Sequence, residues 1–329
     1  MSLLIRGFTL LVRNTVLEVL MKTNRQISLL VFATFISIAS LSLQAAGTKD
    51  KYKSDSCQTA EGKKVACDKP AEQVAKYPNA KRIEPEFPKS KIAKQWDAFA
   101  KTVTAAEPNA IITSAQAIIA SPEASNNEKS EAAYQAAIAN LKIDNANYVK
   151  PIEFSELALK FNGLNNNQQY SLMLLLSQMQ LAQKNYEQAL TIVNQYAKET
   201  GIEDLAVEKV RGNSLYRLNR YAEAAPVLQK AYDLDKGADP NLGSMLMDSY
   251  IKIGQKAKAD KIAEQAMAGV DPNDTASQIQ QLQILANAKQ YEKAGKAFDT
   301  LYAEGKINTL AGYEAGYISF LNQEGKEAQ

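Results

Sequence analysis

The 329-residue chain contains 38 Lys and Arg, 36 Asp and Glu, two Cys and no His, and the absence of histidine excludes Ser-His-Asp and Cys-His nucleophile systems and imidazole zinc sites. Its formal charge of +2 with 22% charged residues is unlike the basic footprint of a protein that neutralises nucleic-acid phosphates, so no nucleic-acid partner is expected. Its 15 Gly and 10 Pro make up a smaller share of the chain than the roughly 12% that these two residues make up in an average protein. This shortage of turn-forming residues favours long helices.

Residues 21–46 have the layout of a secretory signal peptide. Lys22 and Arg25 form a positive start, an uncharged apolar stretch follows, and small residues close the segment. The apolar stretch is shorter than the roughly 20 residues that span a bilayer. Cleavage after Ala45 or Ala46 is therefore expected in preference to a retained anchor, with the mature chain in the periplasm and not stably inserted in the membrane.

Residues 1–20 precede a signal that is already complete, so translation is expected to begin at Met21. Removal of residues 1–46 takes four basic residues and one acidic residue from the 38 and 36 of the whole chain. The exported chain is therefore near neutral, with 34 basic against 35 acidic residues.

Residues 47–90 are polar and contain four prolines, a composition typical of an extended, irregular arm ahead of a folded domain. Cys57 and Cys67 are the only cysteines, and in an exported chain they predict one disulfide that closes a loop around Glu61-Gly62. A redox pair is the alternative, but its usual Cys-X-X-Cys spacing is absent.

Four alanines recur at an interval of 35 residues: Ala189, Ala224, Ala259 and Ala294. Three of them stand three residues after a tyrosine, at Tyr186, Tyr221 and Tyr291, and Lys256 takes that place in the third copy. Apolar residues at helical spacing flank each alanine on both sides of a short break. Two helices in each period predict a helical repeat array, in which stacking of neighbouring repeats supplies the core.

These copies resemble the tetratricopeptide repeat. The best copy runs from Leu205 to Ala238 and keeps the small and large residues of the motif at Gly212, Leu215, Tyr221, Ala224, Leu228 and Ala231. The resemblance implies an all-α fold, a right-handed α-solenoid of helix-turn-helix repeats over residues 91–329, with four clear repeats, two degenerate ones and a trailing helix. The large aromatic residue that the family carries early in the first helix is replaced here by Met173, Glu208, Gly243 and Gln278.

The trailing helix is expected from about Asn308 to Asn322, as the cap of the array or as part of a truncated copy. Its apolar residues are Leu310, Tyr313, Tyr317, Phe320 and Leu321. A terminal helix normally carries a polar outer face, and self-association through this helix is the hypothesis that its apolar residues suggest.

The resemblance places the first helix of each repeat on a concave face. Equivalent inward positions are held by Gln178, Asn213, Asp248 and Gln283, and neighbouring candidates are Lys209, Tyr216, Arg217, Lys252 and Asn287. Such a mixed ladder of donors and acceptors suits an extended peptide, whose backbone groups need partners. The alternative is a solvated groove that binds nothing in particular.

Catalytic signals are absent from the sequence. It contains no Gly-rich phosphate loop and no calcium-binding loop motif, so neither a cofactor nor a metal is expected. The acidic residues Glu153, Glu156, Asp233 and Asp235 are interpreted as surface charge.

The leading hypothesis is a non-enzymatic periplasmic scaffold that binds a protein or peptide on the first-helix face, in envelope assembly, secretion or division. The alternative is an envelope subunit that binds glycan or cell-wall polymer, with Tyr216 and Tyr250 as stacking platforms. A weaker third option is one subunit of an enzyme whose partner contributes the catalytic groups.

Overall fold

The computed structural model describes residues 57–58, 64–65, 76–86, 88–144, 147–268, 271, 273–307, 312–313 and 315–316. The predicted signal segment, Cys67 and most of the predicted trailing helix lie outside these residues. The Cys57–Cys67 disulfide and self-association through the trailing helix therefore stay predictions. No helix in the described part of the chain combines the length and apolar character needed to cross a membrane.

The described residues fall into two compact units, one ending at Ile202 and the other beginning at Glu203. In the first unit, β1 (Cys57–Gln58) pairs antiparallel with β2 (Lys64–Val65), with Cys57 opposite Val65. Its helices are α1 (Ala93–Ala105), α2 (Pro108–Ala120), α3 (Asn126–Ile143), α4 (Val149–Phe161), α5 (Asn166–Ala182) and α6 (Tyr186–Thr200).

The second unit is built from three further helix pairs. Its helices are α7 (Leu205–Arg217), α8 (Tyr221–Asp235), α9 (Pro240–Lys252), α10 (Lys256–Met267), α11 (Thr275–Asn287) and α12 (Tyr291–Ala303). Within each unit every helix packs against the next one along the chain. These contacts and the helix bounds confirm the predicted all-α fold of paired helices.

The 35-residue period is confirmed by the turn inside each repeat. One residue of this turn has a positive φ in all four clear copies, at Lys184, Asn219, Gly254 and Lys289. The backbone N–H that follows each of them bonds back to a carbonyl near the end of the first helix; in the second copy Arg220 donates to Leu215 at 2.9 Å. This pattern ends a helix by satisfying its last carbonyls, which makes every first helix stop at the same place in the repeat.

Small residues lie where helices approach closely, as the repeat pattern predicts. The four periodic alanines are all fully buried. At Gly212 a Cβ atom would come within 2.8 Å of Leu228 Cδ2. Because real Cβ atoms are essentially never this close to another heavy atom, a side chain at Gly212 would force the buried Leu228 side chain to shift.

The missing aromatic position is filled differently from repeat to repeat. Met173 is buried in α5. Glu208, its equivalent in α7, is only 1% exposed and forms ion pairs with Arg211 at 3.1 Å and Lys230 at 2.7 Å. A buried carboxylate needs such partners, so here an ion-pair cluster replaces an apolar side chain.

Residues 76–86 and 88–90, part of the predicted arm, contain neither helix nor strand. They are nevertheless not a free linker, because Tyr77 is buried in the first unit.

Candidate peptide-binding face

Eight of the nine predicted binding residues lie on three neighbouring helices of the second unit. Helix α9 contacts both α7 and α11, so these first helices lie side by side. We call the surface they carry the α7–α9–α11 face. It is lined by Lys209, Asn213, Tyr216 and Arg217 from α7, Asp248 and Lys252 from α9, and Gln283 and Asn287 from α11.

The residues of this face form rows, because the repeat interval is constant. Asn213, Asp248 and Gln283 hold equivalent positions on the three helices, and a second row lies four residues, about one helical turn, later: Arg217, Lys252 and Asn287. An earlier row begins with Lys209 and continues on α9 with Ser244. Polar side chains of differing chemistry therefore recur at the spacing of the helices.

Tyr216, Arg217 and Asp248 come together at the α7–α9 boundary. The Tyr216 hydroxyl donates to Asp248 Oδ2 at 3.0 Å. The Arg217 guanidinium lies 5.9 Å from the centre of the Tyr216 ring, and the Tyr221 ring packs edge-on at 5.7 Å. These contacts hold the phenol and the carboxylate in one orientation.

The electrostatics of this cluster keep Tyr216 protonated. Burial, followed by the Asp248 carboxylate and its hydrogen bond, raises the pKa of Tyr216 to about 12. The phenol therefore stays a hydrogen-bond donor above the pH at which an ordinary tyrosine ionises, and one Asp248 oxygen is its acceptor.

A second link joins α9 to α11. Asn287 Nδ2 donates to Ser244 Oγ at 2.8 Å. Ser244 was not among the predicted site residues, although it stands 35 residues after Lys209 and one helical turn before Asp248. That spacing was the signal that could have identified it.

Three of the predicted residues keep free polar groups. Asn213 and Gln283 are partly exposed and Lys252 is exposed, and none of them forms a hydrogen bond or ion pair with another residue of the described chain. Gln178, the ninth residue, lies on α5 in the first unit. Its Oε1 is buried and accepts no hydrogen bond from the described residues.

Lys209 is already engaged within the fold. Its ammonium group pairs with Asp235 Oδ1 and Asp239 Oδ2, both at 3.1 Å. Burial lowers its pKa, but the bonds to Asp239 and Asp235 outweigh burial and the pKa is raised overall. The interpretation of Asp235 as surface charge was wrong, since its side chain is only 10% exposed and fastens Lys209 at the α8–α9 turn.

The structure also tests Tyr250 as one of the two stacking platforms of the glycan hypothesis. Tyr250 is 6% exposed and its hydroxyl donates to Gln229 Oε1 at 3.0 Å. A buried ring cannot stack on a sugar, so Tyr250 is not a stacking platform. Within the described ranges, no group of three or more acidic, cysteine or histidine side chains is placed to hold a metal ion.

No protein-family model matches the chain, and no curated protein matches its sequence. Solved structures with a similar helix arrangement include YrrB, a TPR protein with an unusual peptide-binding site, at 14% identity and a TM-score of 0.38, over 58% of this chain and 99% of that one. Others are Acl4, an assembly chaperone of RpL4, at 11% identity and a TM-score of 0.41, over 71% and 97%, and a tetratricopeptide repeat protein from Parabacteroides merdae at 12% and 0.35, over 69% and 98%.

The family resemblance therefore stands on the chain's own geometry. Paired helices repeat every 35 residues, buried alanines mark the close contacts, and each repeat turns at the same position. In these respects the fold is similar to that of tetratricopeptide repeat proteins.

Proposed function

We propose that the chain is a non-enzymatic protein-interaction scaffold whose α7–α9–α11 face binds an extended segment of a partner protein. The observation that carries the proposal is the row of polar side chains at equivalent positions on three adjacent helices, Asn213, Asp248 and Gln283. Two of the three have no partner within the described chain, so their amides are available to a ligand.

The spacing of the row matches an extended backbone. Packed helices lie about 8–10 Å apart, and an extended chain advances about 3.3 Å per residue. A bound segment therefore passes one helix with every third residue. An amide both donates and accepts hydrogen bonds, so it can pair with a peptide N–H or C=O in either chain direction.

The second row favours an acidic segment. Arg217 and Lys252 are exposed cations at the last residues of α7 and α9. Neither forms an ion pair within the described residues, and Asp248 is already engaged by Tyr216. A partner carboxylate beside Arg217 or Lys252 would gain a charge-assisted contact.

The proposed site of action is the periplasm, in envelope assembly, secretion or division. The layout of residues 21–46 supports export. Mass spectrometry of the chain recovered from a periplasmic fraction tests this point, with an N-terminus at Ala46 or Gly47 as the expected result. Recovery of the chain from the cytoplasm with residues 21–46 intact would contradict it.

Site-specific photo-crosslinking tests the binding face. A photoreactive residue replaces Asn213 or Gln283 in cells that export the chain, and the matched control replaces Lys261, which is exposed on the second helix α10. We expect the same partner adduct from both face positions and none from Lys261.

Point variants then test the chemistry. Asn213→Ala and Gln283→Ala remove side chains that make no hydrogen bond within the described chain, so the thermal unfolding temperature should stay unchanged while the adduct from the other position weakens. Equal adducts from Lys261, or no adduct from either face position, would contradict the proposed face.

A further inference from the structure

Residues 76–84 lie on the first unit in the manner of a bound peptide. They contain no helix or strand, and they contact α5, α6 and the turn that joins α4 to α5. We call the surface under them the arm groove. Its two anchoring contacts are made by Tyr77 and Arg82, five residues apart.

Tyr77 fills an aromatic pocket. Its side chain is only 3% exposed, and its ring lies 5.2 Å from that of Tyr170 and 6.0 Å from that of Tyr196, in tilted and edge-on arrangements. Its hydroxyl is 3.1 Å from Ser171 Oγ. Such geometries are favourable for aromatic pairs, and the hydroxyl partner satisfies the polar end of the ring.

Arg82 is held by five hydrogen bonds to oxygens of the α4–α5 turn and of Asn166, the first residue of α5. Nε and Nη2 donate to Asn162 Oδ1 at 3.0 and 2.9 Å, and Nη2 also donates to the Asn162 carbonyl at 3.1 Å. Nη1 donates to the Leu164 carbonyl at 2.9 Å and to Asn166 Oδ1 at 3.0 Å. Only a planar guanidinium presents donors in this fork, so the turn is selective for arginine over lysine.

Helix α3 supports the residues that bind Arg82, namely Asn162, Leu164 and Asn166, which we call the Arg82 cradle. Asn127 Nδ2 donates to the Gly163 carbonyl at 3.1 Å, and the Gly163 N–H donates to Ser130 Oγ at 3.2 Å. A Cβ atom on Gly163 would lie 2.4 Å from the Asn127 Cα, so the turn rests directly on the α3 backbone. The part of the turn that carries Asn162 and Leu164 is thus held by contacts with α3 that do not involve the arm.

Residues 76–84 of the arm make only a shallow contact with the arm groove. Tyr77 and Glu84 each precede a proline, which restricts both to extended conformations. Glu84 Oε1 accepts from the Asn166 N–H at 2.8 Å, while Lys81 and Ile83 point to solvent, Ile83 being one of the exposed large apolar residues. Tyr77 is the one described residue between 76 and 84 that is buried, as expected of a ligand that can leave.

We propose that the arm groove is a second peptide-binding site, specific for an extended segment with a tyrosine and, five residues later, an arginine. Residues 76–84 occupy it in cis, and a partner segment with the same two side chains displaces them. This site lies in the first unit, whereas the α7–α9–α11 face belongs to the second.

Occupation in cis sets the affinity that a partner must reach. A tethered segment competes at an effective concentration in the millimolar range. The wild-type chain is therefore expected to bind a free segment only weakly, and loss of the arm's anchors should unmask the site.

A labelled peptide with the sequence of residues 74–88 tests this inference by fluorescence anisotropy. The receptor is the full chain, either wild type or with Tyr77→Ala and Arg82→Ala together. We expect the double variant to bind the peptide at least about tenfold more tightly than the wild type, because its own arm no longer competes. A chain with Lys81→Ala is the matched control, since it also loses one arm cation, and it should behave as wild type.

Variants of the peptide test selectivity without altering the receptor. A peptide with Arg82→Lys should lose at least about tenfold in affinity, because an ammonium group cannot span the three acceptor residues, whereas a peptide with Lys81→Ala should bind unchanged. Circular dichroism verifies that the double variant is folded. If it is not, hydrogen exchange at the Lys76 amide, which donates to Asn167 Oδ1 at 3.1 Å, is measured in the wild type and should accelerate with excess peptide.

Three results would overturn the inference. One is a folded double variant that does not bind the peptide. Another is equal binding of the Arg82→Lys peptide. The last is a concentration-dependent wild-type dimer that the peptide dissociates, which would make a second copy of the chain the occupant of the groove.

Discussion

Glu208 provides a test of how the divergent repeats replace their missing aromatic residue. Its carboxylate contacts Arg211 Nη1 through both oxygens, at 3.1 and 3.2 Å, and Lys230 Nζ at 2.7 Å. Removing one partner of a buried ion pair costs about 3–5 kcal/mol. The Lys230 side chain is 45% exposed and keeps Glu203 at 2.7 Å, so it can be rehydrated, and we expect Glu208→Ala to lower the free energy of unfolding by about 3 kcal/mol.

Glu208→Met is the matched comparison. Methionine is the natural residue at the equivalent position 35 residues earlier, where Met173 is buried. An apolar side chain of similar volume restores the packing and removes the desolvation cost of the carboxylate. Glu208→Met also deprives Arg211 and Lys230 of this carboxylate, but both keep Glu203 as a partner, at 3.7 and 2.7 Å, and methionine leaves no cavity. We therefore expect a loss of about 1 kcal/mol for this variant, smaller than that of Glu208→Ala.

Urea unfolding followed by far-UV circular dichroism measures both variants. The denaturant slope is about 2–3 kcal/mol per molar, so the urea midpoint for Glu208→Ala should fall by about 1 M relative to wild type. The midpoint for Glu208→Met should fall by only a few tenths of this shift. Equal losses in the two variants would show that the ion pairs contribute net stability and would refute the reasoning from desolvation. A negligible loss for Glu208→Ala would refute it as well.

Two further predictions concern packing and ionisation. Gly163→Ala places a Cβ atom 2.4 Å from the Asn127 Cα and should lower the free energy of unfolding by about 1–3 kcal/mol. The single tryptophan, Trp96, lies buried in α1 of the same unit, so its fluorescence reports the unfolding of that unit. An unfolding transition that does not shift would contradict the steric argument. Tyr216 keeps its proton to about pH 12 in the folded chain, whereas an unfolded tyrosine loses it near about pH 10. The stabilising contribution of Tyr216 is therefore full below the unfolded pKa and is lost as the pH rises from the unfolded to the folded pKa. The difference in free energy of unfolding between wild type and Tyr216→Phe should shrink as the pH rises above about 10. A difference that stays constant with pH in urea titrations would disprove this.

The repeat could be predicted from the sequence because its signals are local and recurrent. A tyrosine or lysine followed three residues later by alanine marks each second helix, and helix starts at Tyr186, Tyr221, Lys256 and Tyr291 confirm every copy. Helical periodicity depends on neighbours three and four residues away, so it can be read along the chain. The constant interval then predicts which side chains share a row.

The pairing of polar groups could not be predicted in the same way. The sequence pattern predicts ligand binding for Lys209, which instead pairs with Asp235 and Asp239. It also offers Tyr250 as a stacking platform, but this ring is buried. Both outcomes depend on where the next helix places its side chains. A shift of about one residue in that register changes which groups meet, and a single sequence carries no signal for it.

The arm shows most clearly which features can be predicted from the sequence and which cannot. Its prolines specify an extended segment, because they restrict their own φ angles and those of the preceding residues. Nothing local indicates that Tyr77 and Arg82 bind residues 80 to 94 positions away, at Asn162, Leu164, Asn166 and Ser171. The amino-acid pattern thus specifies the helices, their 35-residue period and the extended arm, since these follow from short-range sterics. Folding alone brings together the Arg82 cradle and the Tyr216–Asp248 pair, since both require surfaces that exist only after distant helices have packed.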